Sequence, residues 1–81
     1  MSAEGTITVY GTKWCSDCTR ARQQLTRAGV PFTDIDIEDD SAAAGVAAAI
    51  SGSRRIPVVV LPNGEVLVEP SHHELADALA V

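Results

Sequence analysis

The sequence predicts one α/β domain over residues 1–81, with the element order β-α-β-α-β-β-α. The run from Thr6 to Tyr10 alternates in the way that a half-buried strand does. It is followed by a stripe of apolar residues at helical spacing that begins at Cys18. Near the C-terminal end, the run Pro62-Asn63-Gly64-Glu65 is typical of a β-hairpin turn. A length of 81 residues suffices for one small domain.

The first half of the chain is predicted to fold as a strand, a helix and a second strand. The helix is expected from about Cys15 to Ala28, and Gly29 is well placed to end it. The second strand is expected from Phe32 to Ile37. Two aspartates alternate there with less polar side chains, which predicts an edge strand with one solvated face. The less polar set is Thr33, Ile35 and Ile37.

The second helix is rich in alanine. Either Asp40 or Ser41 is expected to cap its N-terminus, because both side chains can accept a hydrogen bond from a backbone N–H of the first turn. The helix is expected to end at Ser51-Gly52. The side chains predicted to share its buried face are Ala43, Val46, Ala47 and Ile50.

A hairpin and a last helix complete the predicted fold. The strands are expected at Val58 to Leu61 and at Glu65 to Val68, with Asn63-Gly64 as a two-residue turn between them. Ser71 and Glu74 have the spacing of a capping box at the start of a helix. The side chains that this helix should turn toward the core are Leu75, Ala78 and Leu79.

Composition excludes several classes of function. The formal net charge of −5 argues against binding to nucleic acid or to anionic membranes. No apolar run approaches the ~20 residues that span a membrane. The first five residues lack the basic and apolar regions of a signal peptide. We therefore expect a cytoplasmic protein, in which a disulfide is more often catalytic than structural.

Both cysteines of the chain, Cys15 and Cys18, stand in one C-x-x-C motif at the predicted start of the first helix. Cys15 should meet unpaired backbone N–H groups and the positive end of the helix dipole, which favour a thiolate. Cys18 lies one turn further on, in the stripe that packs inward. One exposed, reactive sulfur with a shielded sulfur behind it is the arrangement that thiol–disulfide exchange requires.

Two other interpretations of the motif are weaker. A structural zinc site needs four ligands, and beyond the two cysteines the chain offers only the neighbouring His72 and His73. Adjacent helical residues point about 100° apart, so both histidines cannot easily bind one ion. The other alternative is an inert, buried pair of thiols. We therefore expect no bound metal.

The order of elements and motifs resembles the thioredoxin fold in its minimal form and, within that fold, the glutaredoxins. The resemblance covers essentially the whole chain and is carried by residues 12–18, 55–57 and 63–64. It implies a four-stranded mixed sheet in the order 2-1-3-4. It also implies that Pro57 follows a cis peptide bond and lies beside Cys15. The backbone of Ile56 would then be exposed and could pair with an extended substrate.

Departures from the family pattern narrow the resemblance. Glutaredoxins that use glutathione usually carry Cys-Pro-Tyr-Cys, and a Gly-Gly followed by Cys-Ser-Asp before the last helix. Here the motif is Cys-Ser-Asp-Cys. Val68-Glu69 stands in place of the Gly-Gly, and Pro70-Ser71-His72 stands in place of the Cys-Ser-Asp. A Pro-Ser pair at the start of the last helix resembles the mycoredoxins of actinobacteria. That resemblance implies a monomer without a bound cofactor, mycothiol as co-substrate, and protein mixed disulfides as clients.

The resemblance also indicates six residues that would contact substrate around Cys15: Lys13, Trp14, Arg55, Ile56, Pro57 and Ser71. Lys13 should favour the Cys15 thiolate and attract a carboxylate. Trp14 is expected to pack against the motif loop and shield it, with substrate contact as the lesser interpretation. Arg55 could steer an anionic substrate, and Ser71 offers a hydroxyl to a neutral one.

Two alternative functions remain open at this point. The first is a dithiol electron donor of the NrdH or thioredoxin kind, reduced by a flavin disulfide reductase. The typical last-helix motif of the NrdH redoxins is absent here. The second, from another class, is a dimeric iron–sulfur carrier with Cys15 and two external thiols as cluster ligands.

Overall fold

The computed structural model describes residues 6–79, which form seven elements of secondary structure. The strands are β1 (Ile7–Gly11), β2 (Phe32–Asp36), β3 (Val58–Val60) and β4 (Val66–Val68). The helices are α1 (Ser16–Arg27), α2 (Ser41–Ser51) and α3 (His72–Leu79). This is the predicted order, and the predicted strand and helix bounds are shifted by at most one residue. Residues 1–5 and 80–81 of the predicted domain lie outside the described residues.

The four strands form one mixed sheet in the order β2-β1-β3-β4, as the resemblance implied. β1 runs parallel to β2 and antiparallel to β3, and β3 and β4 form the hairpin. Tyr10 lies opposite Val58 in the β1–β3 register. The end of β1 and the start of β3 are therefore at the same end of the sheet, which brings the cysteine motif and the Ile56-Pro57 dipeptide together.

The core lies between the sheet and the helices α1 and α3. Its buried side chains come from β1, α1, β3 and α3: Ile7, Val9, Ala21, Leu25, Val59, Leu61 and Leu75. Ala78 and Leu79 pack against this cluster from α3, as predicted. Val58 is buried but does not belong to the cluster. Since neighbouring strand residues point to opposite faces, Val58 faces the other side of the sheet, where α2 packs.

The hairpin turn differs from the prediction. The Leu61 carbonyl accepts the Gly64 N–H at 2.9 Å, and the Leu61 N–H donates to the Glu65 carbonyl at 2.8 Å. The loop therefore has three residues and ends in Gly64, whose φ is +92°. The expected two-residue turn at Asn63-Gly64 is wrong, because Pro62 restricts its own φ to negative values and favours a common β-turn followed by a left-handed glycine.

Helix α2 begins as predicted but presents a narrower buried face. Asp40 is its N-cap and accepts the Ala43 N–H at 3.0 Å, which decides between the two candidate caps. Ala43 and Ala47 are buried, whereas Val46 and Ile50 are 47% and 43% exposed. The prediction that all four share a buried face is wrong for the two larger side chains. Helical spacing alone does not show how far the sheet extends beneath the helix.

β2 is an edge strand, as predicted, because it pairs only with β1. Phe32 packs against the core, and Ile35 is half-buried. Thr33 lies on the same side of the strand as Ile35 but is exposed. The expectation that Thr33 belongs to the less solvated side is therefore wrong. An edge strand has a neighbouring strand on one flank only, so its side chains are covered less than those of a central strand.

Candidate active site

Cys15 is the N-cap residue of α1, with extended backbone angles of φ −80° and ψ 116°. Its Sγ accepts the backbone N–H of Cys18 at 3.3 Å. Cys15 is half-buried, so part of the residue is open to solvent. A thiolate at this position receives a backbone N–H and the positive end of the helix dipole.

Cys18 is fully buried, with no exposed surface. Burial raises the pKa of its thiol to about 12, and the hydrogen bond with Cys15 adds to the increase in pKa. The backbone of Thr12 and the positive charge of Arg22 act on the Cys18 pKa in the opposite direction. In the reduced protein at neutral pH, Cys18 is therefore a protonated, shielded thiol behind Cys15.

Gly11 makes the space that Cys18 occupies. A Cβ on Gly11 would lie 2.6 Å from the Cys18 Sγ and 3.1 Å from the Cys18 Cβ. Distances this short are not compatible with an undisturbed side chain, so only glycine fits. The sequence analysis missed this role, although a glycine directly between a strand and a C-x-x-C loop is a usable signal of a close approach.

Arg22 is a second residue that the sequence analysis missed. Its Nε donates to Asp34 Oδ1 at 2.9 Å, and its Nη2 donates to the carbonyl of Thr12 at 3.0 Å. Thr12 itself is buried, and its Oγ1 has no hydrogen-bond partner among residues 6–79. Arg22 follows Cys18 by four residues, which places both on one face of α1. That spacing was visible in the sequence.

The dipeptide Ile56-Pro57 precedes β3 at the same end of the sheet. The peptide bond between them is cis, as the resemblance implied. Pro57 is buried, and its carbonyl accepts the Glu69 N–H at 2.8 Å. Neither backbone polar group of Ile56 is hydrogen-bonded to another described residue. The loop between β4 and α3 thereby joins the site through Glu69.

Trp14 points into solvent, with 70% of its surface exposed. The expectation that it packs against the motif loop and shields it is therefore wrong. Thr12, two residues before Trp14, is buried instead, at 2% exposure. Trp14 is left as a large apolar surface next to Cys15, which favours the lesser interpretation, contact with a substrate.

The remaining predicted site residues lie at the rim and already have partners. Lys13 Nζ is 3.7 Å from Asp39 Oδ2, and Arg55 Nη1 is 3.7 Å from Glu69 Oε1. Exposed pairs of this kind contribute about 0–1 kcal/mol, so both cations can exchange these partners for a ligand.

Ser71 forms the predicted capping box. Its Oγ accepts the Glu74 N–H at 3.0 Å, while Glu74 Oε1 accepts the Ser71 N–H at 2.8 Å. The box leaves the Ser71 hydroxyl proton free to bind a ligand oxygen but occupies the Ser71 backbone N–H.

Within residues 6–79, no three His, Cys, Asp or Glu side chains are grouped as ligands of a metal ion. No helix among the described residues is long and apolar enough to cross a membrane.

A model of the glutaredoxin family matches residues 7–67 of the chain. This match includes the cysteine motif, the cis-proline loop, β3 and the first two residues of β4. The chain belongs to the glutaredoxin family. As a member of that family, it is a thiol–disulfide oxidoreductase with the thioredoxin fold.

Relatives agree with this assignment. A glutaredoxin candidate of Mycobacterium tuberculosis is 34% identical over 70 residues, which are 85% of this chain and 83% of that protein. The crystal structure of a glutaredoxin from Archaeoglobus fulgidus is similar with a TM-score of 0.82 and 28% identity, over 93% of this chain and 86% of that one. The NrdH-redoxin of Escherichia coli shares the fold with a TM-score of 0.78 and 22% identity, over 89% and 92% of the two chains.

Proposed function

We propose that this protein reduces mixed disulfides between proteins and a low-molecular-weight thiol, with Cys15 as the nucleophile and Cys18 as the resolving thiol. The observation that carries the proposal is the contrast between the two sulfurs. Cys15 is half-buried at a helix N-terminus, whereas Cys18 is fully buried one turn behind it. Exchange needs one sulfur that meets the substrate and a second that reaches the first from behind.

The reaction proceeds by successive attacks on sulfur. The Cys15 thiolate attacks the small-thiol sulfur of the mixed disulfide, the client protein leaves as a thiolate, and the small thiol remains bonded to Cys15. A second small-thiol thiolate then attacks this bound sulfur and leaves with it as a disulfide, which frees Cys15. Alternatively, Cys18 attacks the Cys15 sulfur and releases the small thiol. The resulting Cys15–Cys18 disulfide then needs two electrons from an external reductant.

The cis-proline loop supplies the docking edge for the substrate. Both backbone polar groups of Ile56 lack partners among the described residues and can pair with an extended chain. Trp14 covers the apolar side of such a substrate from across the motif. Arg55 and Lys13, at the rim of the same end of the sheet, attract anionic groups once their weak surface pairs open.

We further propose that the small thiol is mycothiol. Glutathione presents carboxylates, and the loop before α3 disfavours them. Glu69 has a φ of +48°, a conformation that suits the glycine found here in glutathione-using relatives, and it adds a side chain and a negative charge. Pro70 lacks an N–H donor. The Glu74 carboxylate already occupies the N-terminus of α3. A neutral, hydroxyl-rich ligand would still find the Ser71 hydroxyl.

The test compares second-order rate constants for the mycothiol and glutathione mixed disulfides of one peptide. A lost hydrogen bond and a like charge together cost about 2–4 kcal/mol, so mycothiol should react roughly 30- to 1000-fold faster. The preference should persist in Cys18→Ser, because it arises in the first step. Rates equal within a factor of about three would remove the case for mycothiol.

A matched pair of charge variants locates the origin of the preference. Glu69→Gln should raise the glutathione rate because it removes the negative charge beside the site. Glu65→Gln removes the same charge at the far end of β4, next to the hairpin turn, and should leave both rates unchanged. Equal effects of the two variants would mean that only the net charge of the protein matters.

A dithiol electron donor is the second candidate, and the exposure of Trp14 favours it. A large apolar side chain beside Cys15 suits a protein partner, such as a flavin disulfide reductase, that covers it. Cys18→Ser separates the candidates. Small-thiol chemistry should survive the substitution, whereas electron transfer through a Cys15–Cys18 disulfide should fail.

We also propose that the protein works as a monomer in the cytoplasm. A reducing compartment keeps both thiols available for exchange. Gel filtration under reducing conditions should give the size of one 8.5 kDa chain. A concentration-independent dimer would contradict this part of the proposal.

A further inference from the structure

The proposed resolving thiol, Cys18, has a positively charged neighbour, Arg22. The position of a Cβ on Gly11 would be 2.6 Å from Cys18 Sγ and 3.3 Å from Arg22 Nη2. The two atoms therefore lie within about 6 Å of each other, a range in which a cation stabilises a thiolate.

Arg22 is held in this position from two sides. Asp34 on β2 accepts its Nε at 2.9 Å, and the carbonyl of Thr12 accepts its Nη2 at 3.0 Å. The Arg22 side chain is only 19% exposed, so water screens its charge less than that of a surface arginine. A fixed, partly buried cation acts on Cys18 more strongly than a mobile one would.

We propose that Arg22 is a positioning residue for the resolving step: its fixed positive charge stabilises the Cys18 thiolate that attacks the Cys15 adduct. The inference rests on the proposed roles of Cys15 and Cys18. It goes further by explaining how a thiol buried without exposed surface can become a nucleophile at all. Burial disfavours the charged form, and Arg22 offsets part of this cost.

The other charged groups around Cys18 do not take this role. Cys15 is uncharged once it carries an adduct. Asp34 faces Arg22, and Asp36, which lies opposite Gly11 in the sheet, accepts the Glu38 N–H at 2.8 Å. The core side chains that β3 and α3 contribute in the described structure are apolar. Arg22 is therefore the cation that the described structure directs at this thiol.

The experiment uses Ellman's reagent, because each step releases one nitrothiobenzoate anion. Attack by Cys15 breaks the aromatic disulfide and releases the first anion, leaving the second aromatic thiol on Cys15. Cys18 then loses its proton to the buffer, and attack of its thiolate on the Cys15 sulfur releases the second anion and forms the Cys15–Cys18 disulfide. With reagent and reduced protein at equal concentrations, stopped-flow absorbance gives both rate constants.

Arg22→Gln should lower the ratio of the second rate constant to the first by about 2- to 10-fold. A unit charge at 6 Å changes the thiolate population by about 3- to 100-fold in media between water and a partly buried site, and the higher nucleophilicity of the more basic thiolate offsets about half of this effect on a logarithmic scale. The second-step pH profile of Arg22→Gln should move to higher pH by about 0.5–2 units. Arg22→Lys keeps the charge, so its ratio of the two rate constants should be close to that of the wild-type protein. Arg27→Gln removes the same charge from the exposed end of α1 and should leave the ratio unchanged.

Three results would overturn the inference: an unchanged ratio in Arg22→Gln, a pH profile that does not move, or a loss in Arg22→Lys as large as that in Arg22→Gln. If Arg22→Gln does not fold, Arg22→Met supplies an uncharged side chain of similar length for the same comparison. A wild-type protein that releases no second anion would refute the resolving role of Cys18 itself, and no first release would refute the role of Cys15.

Discussion

Replacing Gly11 by alanine tests the packing on which the candidate active site depends. The added methyl group would lie 2.6 Å from Cys18 Sγ and 3.1 Å from Cys18 Cβ. Neither atom can move freely, because Cys18 is fully buried in the first turns of α1. Overpacking of a core costs about 1–3 kcal/mol. In a domain of this size, each kcal/mol lowers the melting temperature by about 4–8 °C.

Gly45 provides the matched control. It lies in the middle of α2, and an added Cβ meets no atom within 4 Å. Gly45→Ala should therefore stabilise the protein by about 0.5–1 kcal/mol, since alanine loses less backbone entropy on folding. The same chemical change is thus expected to have opposite signs at the two glycines. Urea unfolding in the presence of a reductant, monitored by circular dichroism, measures the free energy of unfolding of both variants.

A double-mutant cycle assigns the effect of Gly11→Ala to Cys18. Cys18→Ala removes the sulfur at 2.6 Å but keeps the Cβ at 3.1 Å, so most of the destabilisation should disappear in the double variant. We expect a coupling energy of at least about 1 kcal/mol, which is typical of residues in contact. A Gly11→Ala protein as stable as Gly45→Ala, or additive effects in the cycle, would refute the reasoning.

The buried thiol of Cys18, the N-cap of α2 and the nucleophile Cys15 each lead to a further expected result. Burial raises the pKa of the Cys18 thiol to about 12, so this thiol ionises in the unfolded chain before it ionises in the folded protein as pH rises. The free energy of unfolding should therefore fall above about pH 9, by at most about 1.4 kcal/mol per pH unit. Urea unfolding of Cys18→Ala, which should lack this part of the decline, checks the sign. Asp40→Ala should cost about 1 kcal/mol through loss of the N-cap, and Ser41→Ala should cost little, because Asp40 alone accepts the Ala43 N–H; thermal melts of the two variants decide. Cys15→Ser should abolish reduction of a mixed-disulfide peptide, and residual turnover above a few per cent would mean that the buried Cys18 can attack first.

The sequence alone was sufficient for the order of elements, the position of the motif and the caps of α1 and α3. Cys15 at the start of α1, Gly29 beyond its end and the Ser71–Glu74 box are decided by interactions within four residues. Such interactions are the same wherever the segment lies in the fold. The resemblance to glutaredoxins, carried by short motifs, added the strand order and the cis bond before Pro57.

Only the tertiary structure decided which side chains meet across the fold. The contact of Gly11 with Cys18, and the placement of Arg22 between Asp34 and Thr12, depend on how α1 packs against β1 and β2. The exposure of Trp14 likewise was not predictable from the local sequence.

Similar reasons explain the two larger errors in the predicted fold. The outward position of Val46 and Ile50 depends on the extent of the sheet beneath α2. The three-residue hairpin depends on how Pro62 combines with the register of β3 and β4. Local patterns specify what each segment prefers, but these features are set by the register and packing of segments that are far apart in the chain.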